Sequence, residues 1–498
     1  MKAIVLMADT TIRSCLRFYG GTRALTPNLE RLAARSTVFD GHWCGSAPCV
    51  PARRDMFTGR LNFLERNWGG AEPFDHLLCR LLRDERDTYC HLVTDHTFYF
   101  TPGGENYPFS FNSWELFRGQ EHDPLNPLVK KVEVPEHHGL LSEQYYKNRQ
   151  LFQKEEDYPS PKTYQSAADW LERNHEEDNF FLWVESFDPH EPFDTPKDFL
   201  DLYGDDYEGI PYFWPHYAPC DDTPEQLRHI RNCYLAALTM MDKWLGKVLD
   251  VLDRHDMWKD TMVIFTTDHG FMLGEHGFMA KNYMPAYNEV FHIPLLIAHP
   301  DIPGGNRISA LTQNIDLFPT IAEYFGVGAE HFKNPIHGKS LLPLLRGETD
   351  KLRDAVLYGY YGLSVNMTDG KYTYLRAAAE EDNTPLYLYT AMPATLRQYF
   401  GLDSMTDFSG IEMGRFLKWT DYPVFKIPSK DVDFQNPSQS FRRRSRFNAE
   451  SMLFDIENDY AQEHPIKDAA LLERYSALLK ELMLRHDTPE EQFIRLGL

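Results

Sequence analysis

The sequence predicts an α/β fold in which a doubly wound, mostly parallel sheet forms a larger domain and a smaller C-terminal α+β subdomain follows it. Two observations support this prediction. Short apolar runs alternate with longer segments of helical period over residues 1–350, as expected when helices cover both faces of a parallel sheet. After about residue 350, the pattern changes to antiparallel strands and a terminal helix. We therefore expect two domains, over residues 1–350 and 351–498.

The strands of the larger domain are predicted from runs that are rich in β-branched or aromatic residues. A long amphipathic helix is predicted before the fourth run, because apolar residues between Leu227 and Leu252 recur with the helical period of about 3.6 residues. This alternation of strand and helix is typical of doubly wound sheets. The five predicted strands are Ala3–Ala8, Cys90–Thr94, Phe180–Glu185, Met262–Thr267 and Ile293–Ala298.

The subdomain is predicted from a different pattern. Val356–Tyr361 and Lys371–Leu375 have the composition of antiparallel strands, and Asp369-Gly370 between them is a turn signal. Apolar residues from Leu471 to Leu482 share one face of a predicted terminal helix. Residues 400–450 are aromatic and polar without a clear period, and they receive no assignment.

Composition limits the classes of function. The chain has 498 residues and a formal net charge of −23, which argues against nucleic acid as a ligand. No apolar run approaches the roughly 18 to 20 residues that span a bilayer, so no membrane association is predicted. The seven cysteines lack metal-finger spacing and favour reduced thiols. Because Met1–Asp9 is typical of a buried strand rather than a signal peptide, the predicted location is the cytoplasm.

Polar residues follow four of the predicted strands. In open α/β sheets, ligands bind beyond the carboxyl ends of the strands. A single aspartate or histidine after a strand is more often part of a turn or a cap. Four such groups at the ends of strands in one sheet indicate a shared crevice. The groups are Asp9, Asp95-His96, Asp188-Pro189-His190 and Asp268-His269-Gly270.

The residue types at these positions favour a site for a tetrahedral oxyanion ester. Two carboxylates and an imidazole, from Asp9, Asp268 and His269, suit a divalent cation. Cys49 is expected to lie just before a helix that Pro51 opens, where the free N–H groups and the helix dipole favour an anion. Since the net charge of the chain disfavours anions at long range, local cations must hold the substrate. The candidate cations are Arg53 and Lys281.

These motifs resemble those of a known enzyme family. Cys49 to Arg53 has the pattern C-x-P-x-R, and Thr267 to Gly270 is followed by Gly274 to Gly277 and then by Lys281. The chain resembles the type I, formylglycine-dependent sulfatases of the alkaline phosphatase superfamily, and the resemblance spans most of its length. It implies an alkaline-phosphatase-like fold. It also implies metal- and formylglycine-dependent hydrolysis of a sulfate monoester on a carbohydrate, with release of inorganic sulfate.

The resemblance assigns roles to individual residues at the metal and the nucleophile. Cys49 would be oxidised to formylglycine by a separate maturation enzyme, and the hydrated aldehyde would attack sulfur. Asp9, Asp268 and His269 would hold one divalent metal ion together with residue 49. Arg53 would position the nucleophile.

Other residues are assigned to the substrate. By resemblance, His190 and Lys281 would contact the transferred group and protonate the leaving oxygen, and His96 would help to remove a proton from the sulfated intermediate. Thr94 and Asn67 are predicted to contact the substrate. The implied partner is a small-molecule or oligosaccharide sulfate ester, and a homo-oligomer is compatible with the sequence.

Two departures from the family pattern leave alternatives open. Thr10 stands where many sulfatases carry a second aspartate, so the metal is expected to be calcium or manganese. Thr94 stands where a lysine usually contacts the sulfate. The phosphonate monoester and phosphodiester hydrolases of the same scaffold share this loss of a cation, and such a hydrolase is the alternative function. A non-catalytic binding protein on the same fold is a third hypothesis.

Two further features have open interpretations. The segment from Arg442 to Arg446 concentrates positive charge and is predicted to be exposed to solvent. The alternative is that it lies at the rim of the site and binds a substrate carboxylate or a second sulfate. The aromatic residues of 99–118 and 203–217 are predicted to be core residues, with stacking on sugar rings as the alternative.

Overall fold

The computed structural model describes residues 1–101, 103–392, 409–429 and 449–498. The strands in these residues are β1 Lys2–Ala8, β2 Thr37–Phe39, β3 His42–Trp43, β4 Ser46–Ala47, β5 Tyr89–Thr94, β6 Ser113–Leu116, β7 Phe180–Ser186, β8 Thr261–Thr266, β9 Met272–Leu273, β10 Met279–Ala280, β11 Leu295–Ala298, β12 Asn306–Ile308, β13 Thr312–Gln313, β14 Val356–Tyr360, β15 Val365–Thr368, β16 Tyr372–Arg376, β17 Tyr387–Thr390, β18 Glu412–Gly414, β19 Val424–Pro428 and β20 Met452–Asp455. The helices are α1 Pro27–Arg35, α2 Cys49–Thr58, α3 Leu78–Arg86, α4 Glu143–Arg149, α5 Pro159–Asn174, α6 Lys197–Asp201, α7 Pro224–Arg254, α8 Asn288–Phe291, α9 Leu317–Tyr324, α10 Leu342–Leu345, α11 Ala469–Arg485 and α12 Glu490–Leu496.

An eight-stranded sheet forms the centre of the larger part of the molecule. Its strand order is β12-β2-β11-β8-β1-β7-β5-β6. β1 is parallel to β7 and β8, and β5 is parallel to β6 and β7. β11 is antiparallel to both of its neighbours. The predicted α/β class with a mostly parallel sheet is confirmed, and each of the five predicted runs contains a strand.

Both faces of this sheet are buried, which explains why its strands are continuously apolar. In β1, Ala3, Val5 and Met7 pack into one hydrophobic core, and Ile4 and Leu6 pack into the other. α2, α3 and α9 contribute to the first core, and α1, α5 and α7 contribute to the second. The helices therefore cover both faces, as the doubly wound prediction requires.

A second sheet of five strands lies in the C-terminal part and has the order β20-β16-β15-β14-β4. The predicted strands Val356–Tyr361 and Lys371–Leu375 form β14 and β16, but they are not neighbours. The sequence analysis missed β15, which pairs with both of them, and the turn at Asp369-Gly370 joins β15 to β16. β15 is only four residues long and contains the buried, polar Asn366, so it lacks the apolar signal of a strand.

This second sheet also contains a strand from the N-terminal part of the chain. β4 pairs in parallel with β14, and it ends two residues before Cys49. The predicted terminal helix is present as α11, which packs against β14 and β16. The division of the chain at residue 350 stays a prediction.

The remaining features include a further small sheet in the C-terminal part of the chain. β18 and β19 lie within residues 400–450, which received no assignment from the sequence, and they form a three-stranded sheet with β17. The arginine cluster from Arg442 to Arg446 lies outside the described residues. Among the helices that the structure describes, none combines the length and the apolar character needed to cross a membrane.

Candidate active site

Four neighbouring strands, β8, β1, β7 and β5, place polar residues at one edge of the main sheet. Asp9 directly follows β1, and His96 lies two residues after β5. His190 lies in the segment after β7, and Asp268 and His269 lie after β8. All five residues are buried. The parallel strand order therefore brings together the polar groups that the sequence predicts to share a crevice.

The predicted nucleophile, Cys49, lies at the start of α2. The helix begins at Cys49, two residues earlier than the sequence predicted from Pro51. The main-chain N–H of Ala52 donates the first helical hydrogen bond, to the Pro48 carbonyl at 3.1 Å. A proline is tolerated inside the first turn because its missing N–H has no helical partner there.

The segment before α2 fixes the orientation of this helix. The buried Asp55 carboxylate accepts hydrogen bonds from the main-chain N–H of Ser46 at 2.6 Å and from its hydroxyl at 2.9 Å. Ser46 belongs to β4 and is thereby tied to both the helix and the second sheet. With α2 held in this way, Cys49 Sγ lies 3.2 Å from His269 Nε2.

The Arg53 guanidinium joins three carboxylates at the centre of the site. Its Nε donates to Glu185 at 2.7 Å, Nη1 donates to Asp268 at 2.6 Å, and Nη2 donates to Asp9 at 2.7 Å. All four side chains are fully buried. Because a buried charge is stable only when it is paired, the carboxylates and the guanidinium hold one another in place. Arg53 thus sets the relative position of Asp9 and Asp268.

The two aspartates have different electrostatic environments. Burial and the charge of Asp268 raise the pKa of Asp9 well above its usual range, although Arg53 acts in the opposite direction. Asp268 is also buried, but the neighbouring His269 ring and the positive charges of Arg53 and Lys281 outweigh burial and hold the pKa of its carboxyl well below the usual range. Its Oδ1 accepts the His269 amide at 2.8 Å. Asp268 is therefore the permanent anion of the pair, and Asp9 ionises readily only with a further cation nearby.

His269 is a neutral imidazole with a defined tautomer. Burial lowers its pKa to about 4. Its Nδ1 lies 2.8 Å from the Gly270 carbonyl, which can only accept, so Nδ1 carries the proton. The lone pair of Nε2 therefore faces Cys49, which is the state in which histidine binds metal ions.

The residues at this position fit a divalent cation. Asp9, Cys49, Asp268 and His269 each offer one ligand atom, and these atoms all lie within 4.8 Å of one another. Asp9 Oδ1 is buried and has no hydrogen-bond partner among the described residues. Two carboxylates and an imidazole suit calcium or manganese. When Asp9 is ionised, the four carboxylates Asp9, Glu185, Glu191 and Asp268 outnumber the two cations Arg53 and Lys281 by two charges, which a divalent cation would balance.

His190 and Lys281 share one carboxylate neighbour, Glu191. Its Oε2 lies 3.6 Å from Lys281 Nζ and 3.4 Å from His190 Nδ1. Burial lowers the pKa of Lys281, but the nearby Cys49 sulfur and the carboxylates of Glu191, Asp9 and Asp268 outweigh burial and raise it. Burial and the Lys281 charge hold the pKa of His190 well below its usual range. The pair therefore consists of an ammonium and a neutral imidazole.

A cavity of about 1070 Å³ connects these residues with the outside of the molecule. Cys49, His190 and Lys281 all line it, so the predicted nucleophile and the predicted proton donors face the same space. The segments 99–118 and 203–217 contribute to the core, as predicted, and also to this cavity. Five aromatic side chains of its wall are Trp68, Phe98, Phe100, Trp214 and Tyr217.

Thr94, His96 and Asn67, which are predicted to act on the substrate or the intermediate, also lie outside the cavity lining that the described residues form. The Thr94 hydroxyl accepts the His96 amide at 3.0 Å. His96 Nε2 lies 3.7 Å from Asp9 Oδ2, and neither of its ring nitrogens has a hydrogen-bond partner in the described part of the chain. Asn67 is buried, and its neighbour Trp68 lines the cavity instead. The substrate contacts of Thr94 and Asn67 and the role of His96 stay predictions.

The sequence analysis missed three residues of the site. Glu185 contacts Arg53, Glu191 contacts Lys281, and the Tyr217 hydroxyl donates to Glu191 Oε1. A weak signal existed for Glu185, because it is a charged residue at the end of an otherwise apolar buried run. Tyr217 belongs to the aromatic segment 203–217 and Glu191 directly follows the Asp188-Pro189-His190 group, but neither pattern indicates that the two residues contact each other.

Comparison with protein families gives two matches. Residues 2–327 match the family model described as Sulfatase. Residues 274–395 match a model described as N-sulphoglucosamine sulphohydrolase, C-terminal. The first match covers well over half of the chain and includes every predicted site residue.

Individual proteins are similar over longer stretches. Choline-sulfatase from Rhizobium meliloti (strain 1021) is 26% identical over 402 residues, which are 72% of this chain and 74% of that protein. The phosphonate monoester hydrolase of Agrobacterium radiobacter superposes with a TM-score of 0.65 at 17% identity, covering 97% of this chain and 96% of that one. BT4656, solved in complex with its substrate D-glucosamine-2-N,6-O-disulfate, has a TM-score of 0.65 at 18% identity, covering 98% and 99%. The fold that the resemblance implies is confirmed.

Proposed function

Because the chain belongs to the sulfatase family and is a sulfuric ester hydrolase, we propose that it hydrolyses a sulfate monoester of a carbohydrate with one bound divalent metal ion and with Cys49 converted to formylglycine. The observation that carries this proposal is the position of Cys49. Its Sγ lies 3.2 Å from His269 Nε2, within a buried set of potential metal ligands, and also faces the cavity. In the proposal, this sulfur marks the place of the formylglycine oxygens.

The unmodified thiol is poorly suited to be the nucleophile. Burial and the negative charge of Asp9 raise the pKa of Cys49 well above its usual range, so the thiolate is not available at neutral pH. Formylglycine would supply a hydrated aldehyde in its place. The metal, calcium or manganese, would supply positive charge for the nucleophile and the sulfate oxygens.

The residues of the chain have separate tasks in this proposal. Arg53 holds Asp9 and Asp268 as ligands in a fixed geometry. Lys281 and His190 face the cavity, where both lie against the sulfate group and the Lys281 ammonium protonates the leaving oxygen. His96, which is buried beside Asp9, helps to remove the proton that releases sulfate from the nucleophile.

The cavity supports a ring-shaped alcohol as the leaving group. Aromatic side chains offer flat apolar faces against which the C–H faces of a sugar pack. BT4656, one of the structures similar to this chain, was solved with the sulfated sugar D-glucosamine-2-N,6-O-disulfate. We propose a small-molecule or oligosaccharide sulfate ester on this basis. The cytoplasmic location, the maturation enzyme and a homo-oligomer stay predictions.

A phosphonate monoester or phosphodiester hydrolase is the second candidate. Thr10 in place of a carboxylate and Thr94 in place of a lysine favour it. The fold match to a phosphonate monoester hydrolase is compatible with this candidate. The third hypothesis, a non-catalytic binding protein, is set aside because the chain is a sulfuric ester hydrolase and retains the residues assigned to catalysis.

Two measurements test the proposal. Peptide mass spectrometry across Cys49, on protein from cells that contain the maturation enzyme, should show the mass of formylglycine. The same protein should then be assayed with an aryl sulfate, a phosphonate monoester, a phosphodiester and a sulfated monosaccharide. Sulfate release should dominate. Dominant diester or phosphonate turnover would select the second candidate, and an unmodified thiol in fully active protein would overturn the nucleophile.

A further inference from the structure

Glu191 contacts three residues of the cavity wall from behind. Its Oε1 accepts a hydrogen bond from the Tyr217 hydroxyl, and its Oε2 lies 3.6 Å from Lys281 Nζ and 3.4 Å from His190 Nδ1. Tyr217, Lys281 and His190 all line the cavity, whereas Glu191 does not, and it is fully buried. A substrate in the cavity would therefore touch its three neighbours but not the carboxylate itself.

The Lys281 ammonium depends on this carboxylate for its place. Lys281 is 2% exposed, and its Nζ has no hydrogen-bond partner within the residues that the structure describes. Glu191 forms its ion pair there, at a distance that leaves the three N–H donors of the ammonium available. A buried charge without a counter-charge is strongly unfavourable, so Glu191 stabilises an ammonium that can still donate into the cavity.

The backbone around Lys281 is constrained as well. Ala280 and Asn282, on either side of it, both lie in the left-handed region, with φ of 75° and 78°. For residues that are not glycine, this conformation is uncommon, and the surrounding structure has to maintain it. The direction of the Lys281 side chain is thus fixed by the backbone at one end and by Glu191 at the other.

His190 is held by the same residue in a second way. Its Nδ1 lies 2.5 Å from the Glu191 carbonyl, which can only accept, so Nδ1 carries the proton. The opposite nitrogen, Nε2, is then left for the substrate side. One residue therefore contacts both predicted proton donors, by its carboxylate and by its main chain.

We propose that Glu191 is a positioning residue, which holds Lys281 and His190 toward the leaving oxygen of the ester while Tyr217 fixes its carboxylate from the cavity side. The inference rests on the proposed function. Glu191 makes no bond to the substrate and transfers no proton to it. Its effect passes through Lys281, whose ammonium gives a proton to the leaving oxygen as the ester bond breaks and becomes a neutral amine, and through the orientation of His190 beside it.

The first test is the variant Glu191→Gln, which keeps the size of the side chain and its acceptor oxygen but removes the charge. Phenyl sulfate and 4-nitrophenyl sulfate serve as probes, because 4-nitrophenolate is the better leaving group and needs less protonation. For phenyl sulfate we expect kcat/KM to fall about 10- to 100-fold, a part of what general acid catalysis contributes. The fall with 4-nitrophenyl sulfate should be much smaller.

The second test is a double-mutant cycle with Lys281→Ala and another with His190→Ala. If Glu191 acts through these residues, Glu191→Gln should cost far less in at least one variant background than in the wild-type protein. The proposal would be overturned if the decreases in kcat/KM caused by the single substitutions multiplied in both cycles. It would also be overturned if Glu191→Gln lowered kcat/KM equally for the two probes. Failure of the wild-type protein to hydrolyse either sulfate ester would instead count against the proposed function.

Two further variants separate positioning from folding. Glu65→Gln removes another buried carboxylate, one that accepts from Trp419 Nε1 at 2.8 Å and contacts none of the residues assigned to the reaction, so it should leave the ratio of the two probes unchanged. Tyr217→Phe keeps the aromatic ring and removes only the hydroxyl. If Glu191→Gln does not fold, Tyr217→Phe should still lower phenyl sulfate turnover more than 4-nitrophenyl sulfate turnover. An equal loss with both probes would contradict the role of Glu191.

Discussion

Two cysteine–histidine pairs in this protein have similar distances and different surroundings. Cys49 Sγ lies 3.2 Å from His269 Nε2, and Cys233 Sγ lies 3.5 Å from His229 Nε2. In the second pair, His229 Nδ1 also lies 2.7 Å from Asp205 Oδ2. By distances alone, the second pair is closer to a nucleophile with an oriented base.

The surroundings of the two pairs instead favour the first pair as part of a functional site. Cys49 faces the large cavity and lies among potential metal ligands. Cys233 lies on α7 within the hydrophobic core and does not line that cavity. Its contact with His229 follows from helix geometry, because residues four apart share one face. Asp205 and Tyr207 then hold His229, by an ion pair and by ring stacking at 4.1 Å.

Neither thiol is ready to react as it stands. Burial raises the pKa of both Cys49 and Cys233 above the usual range, so both are protonated at neutral pH. A short sulfur–nitrogen distance is therefore weak support for a catalytic role. A cavity, local cations and a set of potential metal ligands distinguish the first pair from the second.

The largest expected difference between the pairs is in turnover. Cys49→Ala should abolish sulfate release, a loss of at least about 1,000-fold, because the nucleophile is removed. Cys233→Ala should leave kcat/KM nearly unchanged and should lower the free energy of unfolding by about 1 to 2 kcal/mol, since it removes one buried sulfur. Enzyme assays and thermal unfolding of both variants check this. A comparable loss of activity in the two variants would show that the two pairs do not differ in function.

Arg53 should show how strongly the first pair depends on charge. Arg53→Met removes the partner of three buried carboxylates and should lower the free energy of unfolding by about 3 to 5 kcal/mol. Asp205→Asn removes one charge near the second pair and should cost less, about 1 to 3 kcal/mol, because Asn232 can still donate to the new amide oxygen. Urea unfolding measures the free energy of unfolding of both variants. An Arg53 variant as stable as the wild type would contradict the charge balance described above.

Metal removal should affect the first pair alone. Treatment with a chelator should abolish activity, and adding back calcium or manganese should restore it. At a metal concentration of 100 times Kd, binding should stabilise the folded protein by about 2.7 kcal/mol. Asp268→Asn should lose this stabilisation, whereas Cys233→Ala should retain it. Thermal unfolding with and without each metal provides the measurement, and a metal response in the Asp268 variant that matches the wild type would place the ion elsewhere.

The smallest effect is expected at His229. His229→Leu removes the ion pair with Asp205 and the stacking on Tyr207, and it should lower the free energy of unfolding by about 1 to 3 kcal/mol. Turnover of any sulfate ester should stay close to that of the wild type. A decrease in kcat/KM at unchanged stability would assign the second pair a function after all.

Local sequence determined much of this protein. The strands at the centre are continuous apolar runs, because both faces of the sheet are buried. Four of the five predicted runs provide the neighbouring strands β8, β1, β7 and β5 with little change in bounds, and the fifth provides β11, which pairs with β8. The C-x-P-x-R segment and the polar residues after the strands identified Cys49, Asp9 and Asp268 as members of one site. These signals are local in the chain, so the sequence alone reveals them.

Only the tertiary structure decided which residues complete the site. Glu185 lies 132 positions from Arg53, and Tyr217 lies 26 positions from Glu191, so no local pattern connects them. β15 was missed because a short buried strand with a polar residue gains its stability from its neighbours rather than from its own composition. The two cysteine–histidine pairs also differ because of neighbours that are distant in the sequence. Their distances are alike, and the cavity and the charges around Cys49 exist only after distant segments have packed together.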